Sequence, residues 1–284
     1  MQKIVLAVKK SFYERYGEDL KDPHFLDLMK THSPISQDLR EAHDEHQRAV
    51  EGVTAFLERV GVVYERRSVV NGSFDERGDL VVSVGGDGTL LAVSHGVTDT
   101  PVLGINSRPG RSVGYFCGAD VANFEAVLGR ILEGKESPRE LLRMDLLVNG
   151  EKLNPPALND LLFASQCPAA TTVFGIAMDE VRETQRGSGV WISTPAGSTA
   201  GILAAGGEKM DIEGKRLQYR TREPSPTGRD VWRLHQGFFE RGLSLTNLTP
   251  EAAVFVDGTR IVHPVNYGDT IQPRVSDTPL RIYL

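Results

Sequence analysis

The densest chemical signal in the sequence is Gly85-Gly86-Asp87-Gly88-Thr89. Three glycines in five residues let the backbone turn sharply and let amide groups approach a ligand with no Cβ in the way. The pentapeptide follows a Val-rich run, residues 79–84, and opens a short helical stretch from Thr89. Ligands of open α/β sheets bind at the carboxyl ends of strands, and a helix N-terminus offers unpaired N–H groups to phosphate. A carboxylate is unwelcome beside bare phosphate. Asp87 therefore reads as a Mg²⁺ ligand or as an acceptor of a hydroxyl proton, and both roles belong to phosphoryl transfer. A tight turn with a capping Asp would explain a lone Asp-Gly. It explains poorly a five-residue match at a strand–turn–helix junction.

Two more segments carry polar groups in order. Leu158-Asn159-Asp160 sets an amide beside a carboxylate, a pair that can read hydroxyls and an amino group together, although Asn-Asp is also a common turn pair. Ser193-Thr194-Pro195-Ala196-Gly197-Ser198-Thr199-Ala200 follows the strand-like Val190-Trp191-Ile192. It forms a second strand-to-helix turn, with Gly197 for close approach and hydroxyls for ribose or phosphate. Ser198 also fits a plain helix cap. Arg108 and Arg111 lie in a loop after residue 106, where they meet either nucleotide phosphates or solvent.

The elements that must position these groups follow from periodicity. Residues 4–8, 62–66, 79–84 and 102–106 read as strands. Between them, apolar residues from Leu39 to Val60 recur at helical spacing, with Ser36 as the expected N-cap and Gly61 as the stop. Asp120 is the expected cap of another helix carrying Phe124, Leu128 and Ile131. This alternation predicts a parallel sheet flanked by helices. After about residue 138 helical spacing almost disappears. Asn149-Gly150 marks a hairpin, and short runs at 158–164, 171–178, 190–193, 252–256 and 279–284 predict a mostly β domain. Residues 219–236, rich in Arg and Pro, read as a long irregular loop.

Composition narrows the classes. The 284 residues carry a net charge of −6, with 40% hydrophobic and 25% charged residues. With no block of like charge, general binding to nucleic acid or to an anionic membrane is not expected. No stretch nears the roughly 18 apolar residues of a membrane span. Cys117 and Cys167 match no metal spacing and read as small buried thiols in a reducing compartment, so a cytoplasmic location is expected. Residues 129–135 fit the spacing of a P-loop, but Glu136 replaces its Ser/Thr and the segment is helical, with Gly134 as a C-cap. His43 and His46 sit in a charged run and read as a solvated face. Asn71 and Asn247 head sequons without meaning in such a compartment.

With these segments in place, the chain resembles the NAD kinase family. GGDGT is a hallmark that this family shares with lipid kinases and 6-phosphofructokinases. The Asn159-Asp160 pair resembles the family's Asn-Glu/Asp motif. Residues 193–200 resemble its Thr-Pro-Thr-Gly-Ser-Thr-Ala-Tyr motif. Gly104-Ile105-Asn106 and Phe255-Val256-Asp257-Gly258 add agreement, so the likeness covers roughly residues 79–284. It implies a two-domain fold: an α/β domain over 1–138 and a mostly β, NAD-binding domain over 139–284, with room for the last strand to return to the first. It implies a kinase moving the γ-phosphoryl of ATP, with Mg²⁺, or of polyphosphate, onto the 2′-hydroxyl of the adenosine ribose of NAD. Asp87 would be the base. Gly85, Gly86, Gly88, Thr89, Asn106, Asn159, Asp160, Arg186, Ser188, Thr194, Ala196, Gly197, Ser198 and Thr199 would bind the nucleotides. The partners would be small nucleotides, with no nucleic acid and no membrane, in a homo-dimer or tetramer.

Three departures stand out. Gly201 replaces the tyrosine that ends the third motif, Ser188 replaces an aspartate in Arg186-Gly187-Ser188-Gly189, and the loop after Asn106 is longer. They resemble the mitochondrial-type branch of the family. A lipid kinase sharing GGDGT and a non-catalytic NAD(P)-binding protein are the alternatives. The first would need an apolar pocket and membrane attachment, and the second fits poorly with a retained Asp87.

Overall fold

The computed structural model describes residues 3–69, 78–225 and 232–284. The sequon at Asn71 and the middle of the 219–236 stretch lie outside the described residues. The chain divides into two compact units, one of Met1–Arg139 with Arg281–Leu284, the other of Glu140–Leu280.

The first unit runs β1 (Lys3–Val8), a six-residue π-helical turn at Glu14–Asp19, α1 (Pro23–Lys30), α2 (Pro34–Arg59), β2 (Val63–Ser68), β3 (Leu80–Gly85), α3 (Asp87–Ser94), β4 (Val102–Asn106), β5 (Ala119–Asp120), α4 (Phe124–Leu132) and β6 (Arg139–Leu141). The second runs β7 (Met144–Val148), β8 (Glu151–Ala157), β9 (Asp160–Ser165), β10 (Thr172–Met178), β11 (Val181–Gly187), β12 (Val190–Ser193), a 3₁₀ turn at Ala196–Thr199, α5 (Gly201–Ala204), β13 (Leu217–Thr221), β14 (Gln236–Phe239), β15 (Ser244–Asn247), β16 (Ala252–Val256), β17 (Ile261–Val265) and β18 (Thr270–Val275). The final strand, β19 (Leu280–Tyr283), pairs parallel with β4 of the first unit.

The first sheet has the order β2-β1-β3-β4-β19-β6, with β5 beside β4. The pairs among β1, β2, β3 and β4 are parallel. Every residue of β3 and of β4 is buried, as a sheet covered on both faces requires. One face, with Ile4, Leu6, Val82 and Ile105, packs on Val50, Val53 and Leu57 of α2 and on Phe124 and Leu128 of α4. α3 lies against the other face, where a Cβ on Gly104 would come 2.7 Å from Leu90 Cδ1.

Helix limits differ from the sequence expectation where a better cap stands nearby. α2 starts one turn earlier than expected because Ser33 caps it, with Pro34 at the first helical position. Ser36 is buried and donates instead to the Thr31 carbonyl at 2.7 Å. α4 begins at Phe124, and the Asp120 carboxylate accepts from the N–H groups of Ala122 and Asn123 in the turn before it. Gly61 and Gly134 take positive φ just past their helices, as C-terminal stops.

The second unit is two antiparallel six-stranded sheets, β11-β10-β15-β18-β7-β8 and β14-β13-β12-β9-β16-β17, sharing one core. Leu146, Phe174 and Leu245 of the first sheet meet Phe163, Ile192 and Val254 of the second. Asn149 and Gly150 both take positive φ in the β7–β8 hairpin. Within the 219–236 stretch, residues 219–221 and 236 are strand: β13 pairs antiparallel with β14, and Arg220 pairs with Gln236.

Candidate active site

β3 ends at Gly85, and its register partner on β4 is Asn106, so both site segments leave the same sheet edge side by side. The Gly85 carbonyl accepts the Ser107 N–H at 2.9 Å. A Cβ on Gly85 would overlap the Thr89 hydroxyl, so the turn closes this tightly on glycine alone among the amino acids. Gly86 is the N-cap of α3, and its carbonyl accepts from Thr89 N–H at 2.8 Å. Asp87 is therefore the first helical residue, two positions earlier than the sequence expectation for the helix start. Its carboxylate is half-buried, and Oδ1 accepts the Phe116 N–H at 2.8 Å. One oxygen is thus anchored while the second takes no hydrogen bond from the described residues. Thr89 is buried, and Gly88 is exposed.

Asn106 is buried and its amide serves its own loop, donating to the Ser112 carbonyl at 3.1 Å and accepting from Arg108 N–H at 3.0 Å. Arg108 is engaged as well: its guanidinium binds Asp38 and Glu45 of α2, each at 2.7 Å. Cys117 is half-buried, its thiol pushed up to about 12 by burial and by Asp87, so it stays protonated. Cys167 is exposed, which corrects the expectation of two buried thiols. His46 is also misjudged as solvated, being 8% exposed.

In the second unit the Asn159-Asp160 and 193–200 segments come together. Asp160 pairs with Ser193 across β9 and β12. The Thr194 N–H donates to the Asn159 carbonyl at 3.0 Å, and the Thr194 hydroxyl donates to the Leu158 carbonyl at 2.5 Å. A Cβ on Gly197 would collide with the Asn159 carbonyl oxygen, which fixes glycine there. Thr194, Ala196, Gly197 and Ser198 are all buried, and Thr199 is half-buried. The Ser198 hydroxyl donates to the Pro195 carbonyl and accepts the Met210 N–H. The hydroxyls of Thr194 and Ser198 thus build the turn. The Asn159 amide and the Asp160 carboxylate take no side-chain hydrogen bond from the described residues, and they are the groups left for a ligand.

Asp257 holds that pair in place. Its carboxylate accepts three successive backbone N–H groups: Leu158 at 2.9 Å, Asn159 at 2.7 Å and Asp160 at 3.0 Å. Burial raises the Asp160 carboxyl to about 7, and the Asp257 charge adds to the rise. A buried carboxyl near neutrality beside an amide without a side-chain partner makes this pair a candidate for ligand binding. The signal for Asp257 in the sequence was its place before Gly258 after a strand. The three-donor grip was not legible, because it depends on β9 lying beside β16.

Arg186 is exposed at the end of β11. The Ser188 hydroxyl donates to the Glu223 carboxylate, so a carboxylate stands beside the position where the resemblance leads one to expect an aspartate. Gly201 also finds an explanation. A Cβ there would come 2.7 Å from Trp191 Cζ2, so the indole occupies the space that any larger residue would need.

Among the described residues, no three His, Cys, Asp or Glu side chains gather to hold a metal unaided. Mg²⁺ commonly needs one or two carboxylates plus substrate phosphates, and the open oxygen of Asp87 fits that demand. No helix among the described residues is long and apolar enough to cross a membrane.

The crystal structure of an NAD kinase from Archaeoglobus fulgidus in complex with ATP matches with a TM-score of 0.67 at 21% identity, over 99% of this chain and 93% of that one. Yeast NADH kinase complexed with NADH matches with a TM-score of 0.66 at 17% identity, over 99% and 83%. This chain shares the fold of those kinases, an α/β unit carrying the glycine turn and a β-sandwich unit. Residues 20–136 match the ATP-NAD kinase N-terminal domain, and a probable NADH kinase of Oryza sativa subsp. japonica is 40% identical over 227 residues, 71% of this chain and 69% of the relative. The chain belongs to the NAD kinase family.

Proposed function

We propose that the chain transfers the γ-phosphoryl group of Mg-ATP to the 2′-hydroxyl of the adenosine ribose of NAD, forming NADP. The observation that carries this reading is Asp87: one carboxylate oxygen is tied to Phe116 N–H and the other is open, at the mouth of a glycine turn. Phosphoryl transfer needs positioning and charge neutralisation more than covalent chemistry. Asp87 orients the ribose hydroxyl and takes its proton as the oxygen attacks phosphorus. Gly85, Gly86, Gly88 and Thr89 frame the phosphates. Mg²⁺ carried by ATP would supply neutralisation of the phosphate charge. Asn159 and Asp160 hold the dinucleotide, while Thr194, Ala196, Gly197, Ser198 and Thr199 shape the turn behind them, and Arg186 and Ser188, at and just past the end of β11, add to its binding. Asn106 acts by shaping its loop.

NADH is a second acceptor that specific likenesses favour, since the rice relative is a probable NADH kinase and the yeast structure holds NADH. The deciding experiment supplies Mg-ATP or polyphosphate with either NAD or NADH and measures NADP and NADPH by a cofactor-specific dehydrogenase assay. Formation of neither, with diacylglycerol or a sphingoid base phosphorylated in parallel, would favour the lipid-kinase alternative. Tight NAD(P) binding without ATP consumption would favour a non-catalytic protein. The reading also places the chain in the cytoplasm as a homo-dimer or tetramer.

A further inference from the structure

The helix α2 contributes three polar side chains to the loop that borders the glycine turn. Asp38, Glu45 and His46 are seven and eight residues apart, which sets them along one helix face. Asp38 and Glu45 hold the two arms of the Arg108 guanidinium. The hydrogen bond to Asp38 is the main cause that raises the Arg108 pKa, with Glu45 adding to it. His46 is buried, and its Nε2 lies 2.8 Å from the Lys9 carbonyl at the end of β1. A carbonyl accepts, so Nε2 carries the proton and Nδ1 is the acceptor. Nδ1 faces the Ser107 hydroxyl at 3.3 Å. Burial lowers the His46 pKa, which keeps this ring neutral. Among nearby charged groups, Glu14 opposes that shift while His43 and Arg66 assist it.

The gripped residues sit where the reaction is proposed to occur. Ser107 donates its N–H to Gly85, and Ser112 Oγ lies 2.8 Å from where a Gly86 Cβ would stand. The same loop leads to Phe116, whose N–H holds Asp87. Helix, loop, glycine turn and base are linked by consecutive contacts. Such contacts fix a reacting group to within a fraction of an ångström, and a misplacement of about 1 Å can cost roughly 100-fold in rate.

We propose that Arg108 and His46 are positioning residues for phosphoryl transfer, clamping the loop after Asn106 to α2 so that the Asp87 carboxylate is held in its productive pose. The inference rests on the reading of Asp87 as base. It departs from a direct phosphate-binding role for Arg108.

The test measures kcat, KM for NAD, KM for ATP and thermal unfolding of Arg108→Gln, Arg108→Lys, His46→Gln, Ser107→Ala and Asp87→Asn in the full chain. The clamp predicts kcat lower by about 10- to 100-fold in Arg108→Gln, partial recovery in Arg108→Lys, and both KM values within about twofold of the parent. A direct phosphate contact instead raises KM for ATP. Protonation of His46 at acid pH removes the acceptor for the Ser107 hydroxyl, so the clamp also predicts an acid-side fall of kcat beyond the one that protonation of Asp87 gives every variant, and Ser107→Ala lacks that added part. Turnover of folded Arg108→Gln and His46→Gln within about twofold of the parent would overturn the clamp, as would an unchanged acid limb in Ser107→Ala. An unfolded Arg108→Gln leaves the decision to Arg108→Lys and to the pH profile of Ser107→Ala. An inactive Asp87→Asn beside normal clamp variants sinks the clamp and spares the base, whereas an active Asp87→Asn sinks both.

Discussion

Asp257→Ala removes one acceptor from three backbone donors, and its effect can be worked from the geometry. The lost hydrogen bonds are 2.7–3.0 Å long and end on the two carboxylate oxygens, Leu158 on Oδ2 and Asn159 and Asp160 on Oδ1. Bonds to charged groups contribute about 1.5–3 kcal/mol each. Asp257 is half-buried, so water can re-satisfy part of what is lost, and roughly 2–4 kcal/mol in total is a fair scale. An opposing term exists. The Asp257 charge raises the carboxyl pKa of Asp160, second to burial, so its removal eases ionisation of Asp160 and offsets part of that cost. The net cost is then about 1–3 kcal/mol near neutral pH. For a chain of this size that lowers the melting temperature by roughly 3–10 °C. Differential scanning calorimetry gives the stability arm. Steady-state kinetics gives the second arm, a higher KM for NAD, because Asn159 and Asp160 lose their backbone restraint. The acid limb of kcat/KM should also move to lower pH as the Asp160 carboxyl relaxes. A variant melting within about 1 °C of the parent, with an unchanged KM for NAD, would refute the grip as a determinant of the site.

Three further outcomes are expected. The folded-state carboxyl of Asp160 is raised to about 7 from 3.8, so the folded chain holds that proton more tightly than the unfolded one. The contribution to stability is present below about pH 4 and lost as pH rises through 7, a change of roughly 4 kcal/mol by pH 8. Urea unfolding at pH 5 and pH 8 should show this decline in the parent and a flatter profile in Asp160→Asn; an equal decline in both would count against it. Gly201→Ala drives a methyl into Trp191 and should cost about 1–3 kcal/mol, largely relieved when Trp191→Ala is added, so strictly additive losses would contradict the contact. Gly197→Ala forces the third segment off the Asn159 carbonyl and should lower affinity for NAD at least tenfold, about 1.4 kcal/mol, by calorimetric titration, and unchanged affinity would speak against that packing.

Much of the first unit was legible because buried parallel strands read as continuous apolar runs. The run at residues 102–106 coincides with β4, and the one at 79–84 differs from β3 by one residue at each end. The glycine turn was legible for the same reason: it stands between such a strand and a helix. Less was legible in the second unit. β11 spells Val-Arg-Glu-Thr-Gln-Arg-Gly, with exposed residues alternating along it, and carries little apolar signal of its own. It is a strand because β10 pairs with it along its whole length. The pairing of β13 with β14 was missed because polar residues, Gln218, Arg220 and Gln236, interrupt the apolar ones, Leu217, Tyr219 and Phe239, that the ladder buries. The solvated reading of His46 failed because the ring turns inward from a charged stretch of α2, with Nε2 on the Lys9 carbonyl and Nδ1 beside the Ser107 hydroxyl. The roles of Thr194 and Ser198 were half legible. Hydroxyls in a strand-to-helix turn suggest a ligand, yet here they tie the turn to Leu158 and Met210.

The account stands most directly on the turnover of Asp87→Asn with NAD and Mg-ATP, read by an NADP-specific dehydrogenase. The substitution keeps size and leaves an oxygen for Phe116 N–H, so the fold and NAD binding should persist while turnover falls at least about 100-fold, the usual cost of losing a general base. A folded Asp87→Asn protein that makes NADP at close to the parental rate would contradict the assignment of Asp87 as the base.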